Sequence, residues 1–392
     1  MTLASLIIGC AEAEGAGGEP RAALPFLGQC LVEYQARLAA AAGAKHIVIL
    51  VERVPAALVG AIDRLKRDGV AVEIARTVAD AADRIHPEER LLVIGDGVIA
   101  REDLVRRAGR AVAPSLFTIP DSSVAGAHER IDAGARWAGL ALIEGGALRR
   151  TAAMLGDWDL QSTLLRRVVQ AHPTRIEISS GAVWLIERRE DGRPAEVALL
   201  GGEMGRVLPA PLIERGSAVL LGPRMRLDWL RIGALGLAAA AIPAFANGWT
   251  IAGAAALVAS GPAAAMPQRV DRAGLKPEKW ERLWRGARDI VFAAAVLVLA
   301  YRLAALAGWG VWPLAIGNIG LVALLSDQAR LGGADLASPA LLALIFLIFA
   351  LFGASVWGLA ATALVAAGAL GWGQRRLVRT VADPGFTPPG GS

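Results

Sequence analysis

Lysine is nearly absent: the 392 residues include four, Lys45, Lys66, Lys276 and Lys279, so the net charge of +5 is carried almost wholly by arginine. Cysteine is scarcer still. Cys10 and Cys30 alone cannot build a disulfide scaffold, which excludes a small secreted fold of that kind. The four histidines, His46, His86, His128 and His172, are scattered, and no Cys/His cluster has metal-ligand spacing, which argues against a zinc or haem centre. Charge itself is missing from two long stretches. There is no Asp, Glu, Lys or Arg from Ile232 to Gln268, over 37 residues, or from Leu336 to Gln374, over 39. With 55% apolar residues and a mean hydropathy of +0.46, these stretches exclude a disordered chain and a wholly water-soluble enzyme. The apolar run from Met1 to Cys10 is too short to span a bilayer and lacks a basic lead-in, so it reads as structure rather than a signal peptide. A reduced, cytosolic N-terminal half is the expectation.

That half, residues 1–222, alternates strand-like and amphipathic helical segments. Strands are predicted at 3–9, 46–51, 70–74 and 90–94, with helices at 31–42, 55–68 and 78–85 between them. Single helices between strands argue for βαβ units in a mostly parallel, Rossmann-like sheet. Ligands of such sheets sit in a crevice at the carboxyl ends of the strands. The loop after Gly9 and the turn Gly95-Asp96-Gly97 are therefore the segments of interest. Further on, strands are predicted at 137–143, 175–178 and 183–187, helices at 146–155 and 160–171, and a hairpin at Asp191-Gly192. The soluble domain is expected to end near Gly222.

Residues 223–380 read as a six-span membrane domain, with spans at about 229–245, 249–266, 290–307, 311–325, 339–352 and 354–372, and a flexible tail over 381–392. The turns Asn247-Gly248, Gly308-Trp309-Gly310 and Gly353-Ala354-Ser355 carry no basic residue. The other connections do: Arg224, Arg226 and Arg231, seven basic residues from Arg269 to Arg288, Arg330, and Arg375, Arg376 and Arg379. The positive-inside rule then places every basic connection, and both termini, in the cytosol. A bacterial inner membrane is the expected location. Residues 277–288 place Trp280, Leu283, Trp284 and Ala287 on one helical face and Lys279, Arg282 and Arg285 on the other. Such a helix would lie in the headgroup region against anionic lipid; the alternative is a basic connector with interfacial tryptophans. Arg302, thirteen positions beyond Asp289, lies about 20 Å along its helix at about 1.5 Å per residue. It either snorkels outward toward Trp309 or meets a lipid phosphate, with Asn318 as a candidate partner. The many Gly and Ala residues of the spans favour close helix packing over an aqueous pore.

The run Leu6-Ile7-Ile8-Gly9, then Gly15-Ala16-Gly17-Gly18, then residues 23–29 (ALPFLGQ) and 31–35 (LVEYQ), resembles the opening of a sugar-phosphate nucleotidyltransferase of the glycosyltransferase-A fold. The stretch Leu92-Val93-Ile94-Gly95-Asp96 resembles that family's strand ending in a metal-holding Asp, and Ile131-Asp132 with residues 137–140 resembles its acceptor-side segment. The resemblance covers about residues 1–180. It implies a nucleotide on Gly9, Gly15, Gly17, Gly18 and Arg21, and Mg2+ on Asp96 with Asp157 or Asp159 as a second carboxylate. An Asp before Gly at a strand end is also an ordinary turn residue. The family's basic pair and lysine are missing from this loop, which holds Glu12, Glu14 and Glu19 with Arg21 as its only cation. Those glutamates are expected to repel a triphosphate.

A nucleotidyltransferase-like head on six spans is similar in architecture to bifunctional enzymes whose membrane half is a CDP-alcohol phosphotransferase. That family's paired aspartates on spans two and three are absent: span two has no acidic residue and span three offers only Asp289 at its edge, while Asp327 closes span four alone. Motifs in both halves are thus degenerate. Two functions follow: a membrane-anchored nucleotidyltransferase-like protein of lipid-headgroup or nucleotide-sugar metabolism, or a non-catalytic scaffold or nucleotide- and lipid-sensing protein. Expected partners are membrane lipids, through Arg282, Arg285 and Arg302, and a nucleotide such as CTP. No nucleic acid is expected, and a homodimer is left open.

Overall fold

The computed structural model describes residues 2–15, 17–121, 128–154, 159–204, 227–330 and 338–381. Asp157, the expected domain end near Gly222, Arg224, Arg226 and the tail beyond 381 lie outside them. The chain divides into two compact units, Met1–Gly222 with Arg269–Pro277, and Pro223–Gln268 with Glu278–Ser392.

The first unit is built on β1 (Leu3–Ile8), β4 (His46–Leu50), β5 (Val72–Ala75), β6 (Arg90–Ile94), β8 (Ser115–Pro120), β9 (Ala135–Glu144) and β10 (Thr174–Glu177). They form one sheet in the order β10-β8-β9-β6-β1-β4-β5. Four of its pairings are parallel, and β9 runs antiparallel to both β6 and β8. All six residues of β1 are buried, as expected of a central strand covered on both faces. Helices α1 (Leu31–Ala41), α2 (Ala56–Arg67), α3 (Val78–Asp83), α4 (Glu102–Arg110), α5 (Gly145–Ala152) and α6 (Leu160–Gln170) supply those covers. Pro55 precedes α2, and Asp159 and Thr77 cap α6 and α3 by accepting from main-chain N–H groups. Two small antiparallel pairs, β2 (Pro25–Phe26) with β3 (Gln29–Cys30) and β7 (Val98–Ala100) with β11 (Val183–Leu185), complete the unit. The hairpin expected at Asp191-Gly192 does not form. A short 3-10 turn at Arg189–Asp191 leads instead into α7 (Gly192–Met204), because the Asp191 carboxylate accepts from the Glu187 and Arg188 amides and starts a helix.

A buried ionic network braces α1. Arg37 bonds Glu33 at 3.0 Å and Asp68 at 2.8 Å, and Arg64 reaches the other Glu33 oxygen at 2.8 Å. Arg37 also donates to Gln29 Oε1, whose amide donates to the Gly274 carbonyl within the same unit.

The second unit is helical: α8 (Leu227–Ala246), α9 (Thr250–Ala273), α10 (Glu278–Ala307), α11 (Val311–Arg330), α12 (Pro339–Leu351) and α13 (Ser355–Val381). Five of these helices are long and apolar enough to cross a membrane. The remaining one, α12, has 13 residues, about 20 Å of helix against a hydrocarbon core of about 30 Å. The amphipathic stretch at 277–288 is helical but is not a separate surface helix, since from Glu278 it runs unbroken into Ala307. Nothing at Asp289 or Ile290 breaks a helix, as neither Gly nor Pro occurs there. Small residues set the packing. A β-carbon on Gly261 would lie 2.2 Å from that of Ala340, and one on Gly253 would lie 2.4 Å from the Phe245 ring. Phe245 in turn meets Phe346 edge-on at 6.4 Å. Trp249, Trp309 and Trp357, at or beside the three uncharged turns, are exposed, as are Trp229 at the start of α8 and Trp372 where the apolar stretch of α13 ends at Arg375, the placement expected of interfacial aromatic girdles.

Candidate functional site

From β1 the chain passes to β4 and β5 on one side, then returns to β6 on the other side of β1. That reversal opens a crevice beyond the carboxyl ends of β1 and β6. Gly9, Cys10 and Ala11 leave β1 there, and Gly95, Asp96 and Gly97 leave β6. The two turns are joined directly: Ala11 N–H donates to Asp96 Oδ2 at 2.6 Å.

Several side chains hold the Asp96 turn in place. Gln35, buried on α1, donates to the Gly95 carbonyl at 3.2 Å and the Val98 carbonyl at 2.8 Å. Gln161, in the first turn of α6, accepts from the Asp96 N–H at 2.9 Å. The Ile186 amide closes the far side on the Gly97 carbonyl at 2.8 Å. A β-carbon on Gly95 would come within 3.1 Å of the Trp137 ring.

Asp96 is 6% exposed, and its second oxygen, Oδ1, is buried with no hydrogen-bond partner among the described residues. Burial pushes its carboxyl up to about 6, against the pull of the Ala11 N–H, the Arg21 guanidinium and the Cys10 N–H, with Asp159 adding to the rise. A buried carboxylate with one unfilled oxygen is the electrostatic complement of a cation. Asp159 belongs to the same electrostatic neighbourhood, but its Oδ2 already caps α6 on the Ser162 N–H at 2.8 Å. Ser162 Oγ donates to Glu129 Oε1 at 2.5 Å, which sets a third carboxylate beside the α6 N-terminus. Among the described residues, no group of three His, Cys, Asp or Glu is arranged to hold a metal ion. An ion here would need oxygens from a ligand. The Cys10 thiol is pushed up to about 11 by burial and by the nearby Asp96 and Glu52, which keeps it protonated at neutral pH.

The loop after β1 folds into a narrow hairpin. Glu12 bridges Pro20, the Ala13 N–H bonds the Glu19 carbonyl, and the Arg21 N–H bonds the Ala11 carbonyl. Of the residues the resemblance implied for a nucleotide, Gly9 and Arg21 stand at the base beside Asp96. A β-carbon on Gly9 would press to 2.9 Å on Ala22, which only glycine avoids. Gly15, Gly17 and Gly18, all at positive φ, are carried beyond the Glu12–Pro20 bridge toward the tip. Two of the loop's three glutamates are engaged by arginines from outside it. Glu12 pairs with Arg53 at 3.1 Å, Glu14 pairs with Arg188 at 2.6 Å, and Arg21 pairs with Glu187 at 3.0 Å. Arg53, Arg188, Gln35 and Gln161 were not singled out for the site in the sequence, because their proximity comes from the strand order.

In the second unit, Arg282 is exposed, while Arg285 pairs with Glu281 one turn back. Arg302 is exposed and lies against the Asn247-Gly248 turn, with its Nη2 3.1 Å from where a β-carbon of Gly248 would sit. Asn318 is not its partner. The Asn318 amide donates to the Leu314 and Leu359 carbonyls, both at 2.9 Å, joining α11 to α13. Asp289, the remaining acid of span three, accepts from Ser326 of α11 at 3.1 Å.

The class this defines is a mostly parallel α/β head with a strand-end crevice, carried on a chain with membrane-capable helices. No family model and no curated protein matches the chain. Among solved structures, it is weakly similar to the inositol-1-phosphate CTP transferase from T. maritima, at 12% identity and a TM-score of 0.39, over 48% of this chain and 91% of that one.

Proposed function

We propose that the crevice between β1 and β6 binds a divalent-metal nucleotide, and that the chain is a membrane-anchored, nucleotidyltransferase-like protein of lipid-headgroup or nucleotide-sugar metabolism. The observation that carries this reading is Asp96 Oδ1, buried and without a hydrogen-bond partner among the described residues, at the switch point of the sheet. The residues fit Mg2+, which is commonly held by one or two carboxylates with phosphate oxygens and water filling the remaining positions. Asp96 would be the inner ligand and Asp159 the second carboxylate; the ion's contribution is to neutralise charge on the phosphates. Arg21 at the hairpin base would face the same phosphates, and the Gln35 and Gln161 hydrogen bonds would keep Asp96 aimed. Six spans, with α12 as the short fifth one, would put both chain ends in the cytosol of a bacterial cell. Reporters fused at Met1 and Ser392 should then give the same compartment, and opposite compartments would remove one span.

A second reading, a non-catalytic nucleotide sensor or scaffold, is favoured by the engagement of Arg21, Arg53 and Arg188 with glutamates and by the lack of lysine in the hairpin. In the same direction, Asp289 is tied to Ser326, where a membrane transferase site would need paired aspartates. Thermal unfolding of the full chain with CTP and Mg2+, with and without Asp96→Ala, tests the shared core of both readings. A metal-dependent rise that vanishes in the variant supports the crevice. No rise with CTP or any other nucleoside triphosphate would remove it. Turnover of CTP with an alcohol phosphate then separates enzyme from sensor.

A further inference from the structure

We propose that Arg53 and Arg188 are phosphate-binding residues of the Asp96 crevice, each occupied in the ligand-free protein by a glutamate of the hairpin, Glu12 and Glu14, which a polyphosphate chain displaces. This rests on the reading of the crevice as a nucleotide site and adds cations to Arg21, the one that the loop's own sequence carries.

Both arginines are attached to the segments that build the crevice. Arg53 follows β4, the parallel neighbour of β1, and its guanidinium passes 3.6 Å from where a β-carbon of Gly18 would sit. Arg188 follows β11; two residues earlier, Ile186 bonds Gly97, and one residue earlier, Glu187 bonds Arg21. Glu14 is fixed to the same segment by its own N–H on the Glu187 carbonyl at 2.9 Å. Arg188 gives both Nε and Nη2 to one Glu14 oxygen, at 2.8 and 2.6 Å. The glutamate therefore holds a planar fork of donors of the kind that suits a phosphate.

Exposure decides which ion pairs can exchange. The Arg53–Glu12 side chains are 71% and 56% exposed, and those of Arg188–Glu14 are 55% and 49%. Pairs so open to water hold together only about severalfold better than the separated charges. The Arg37–Glu33 pair of the same unit, 5% and 1% exposed, cannot release its charge without stranding the partner, so it is structural. A triphosphate brings several negative charges and many acceptor oxygens to the same arginines, and it outcompetes a single carboxylate. The glutamates thus restrain the hairpin when the crevice is empty and compete with phosphate when it fills.

The competition has a sign that bracing alone lacks. The test is equilibrium binding of inorganic tripolyphosphate, without metal, to the full chain in detergent, with unfolding temperatures of each variant checked beforehand. Glu12→Gln with Glu14→Gln should tighten binding about threefold per glutamate removed. Arg53→Gln with Arg188→Gln should weaken it at least about tenfold. Unchanged or weaker binding in the glutamate variant, or wild-type binding in the arginine variant, overturns the proposal, as does failure of tripolyphosphate to bind any of them. Asp96→Asn, run with CTP and Mg2+, separates the two readings. Tighter tripolyphosphate binding in the glutamate variant without any Asp96-dependent metal effect keeps this inference and removes the metal–nucleotide site. The reverse result removes this inference alone.

Discussion

Ala11 and Asp96, 85 residues apart in sequence, meet at 2.6 Å, the main-chain N–H of the first donating to the carboxylate of the second. This bond ties the ends of two parallel strands together and leaves the other Asp96 oxygen buried, with no partner among the described residues. Ionised in that position, Asp96 is costly to the fold and useful to a cation.

The cost has a definite pH signature. The folded carboxyl, pushed up to about 6 from 3.8, holds its proton more tightly than the unfolded chain does. Stability therefore falls as pH rises from about 4 through about 6, by about 3 kcal/mol for a shift of this size. Asp96→Asn keeps an acceptor for Ala11 and removes the charge. It should raise the unfolding temperature of the head at pH 7.5, with the gain disappearing near pH 4. Thermal unfolding across that range checks it; an equal effect at both pH values would contradict it.

The same titration governs the ligand. Protonated Asp96 cannot serve a cation, so affinity of the wild type for CTP with Mg2+ should weaken below about pH 6, whereas Asp96→Asn should bind poorly at both pH values. Calorimetry at pH 7.5 and 5.0 reads both.

Gln35 satisfies two buried carbonyls on either side of Asp96. Gln35→Leu keeps the bulk and strands the Val98 carbonyl, while the Gly95 carbonyl keeps the Val98 N–H at 3.3 Å, so the head should lose about 1–2 kcal/mol in denaturant unfolding. Metal–nucleotide binding should weaken as well, because the turn is no longer held. An unaffected stability would mean that water replaces the amide.

Gly139 sits at φ +80°, and a β-carbon there would lie 2.3 Å from Val98 Cγ2, inside the Asp96 turn. Gly139→Ala should cost about 3 kcal/mol or more, through strain and overpacking together. Gly134→Ala, where the nearest atom would be 3.9 Å away, should be nearly silent. In the helical unit, Gly261→Ala should push α9 from α12 and lower thermal stability in detergent, while Gly317→Ala, with open space around it, should not.

The strands at 46–50 and 90–94 and the helices at 31–41 and 56–67 were legible because their apolar period and end signals agree. The three uncharged turns between helices were legible for the same reason. Asp191-Gly192 misled, because a side chain that caps a helix start is the same residue type that opens a turn. Residues 277–288 misled in another way: an amphipathic stretch carries no mark of where its helix stops unless a breaker follows. The site was half legible. Gly9 and Asp96 stand at strand ends, where pattern alone finds them. Gln161 reaches the Asp96 turn, and Arg53 and Arg188 reach the hairpin glutamates, only through strand order and the return of the chain after β9, which leave no local mark.

Binding of Mn2+ in the presence of CTP, followed by the loss of its free electron-paramagnetic-resonance signal at pH 7.5, measures the Asp96 crevice most directly. Wild-type protein should take up one Mn2+ per chain only when CTP is present, and Asp96→Asn should take up none. Equal uptake by the variant, or no CTP-dependent uptake by the wild type, would contradict the account.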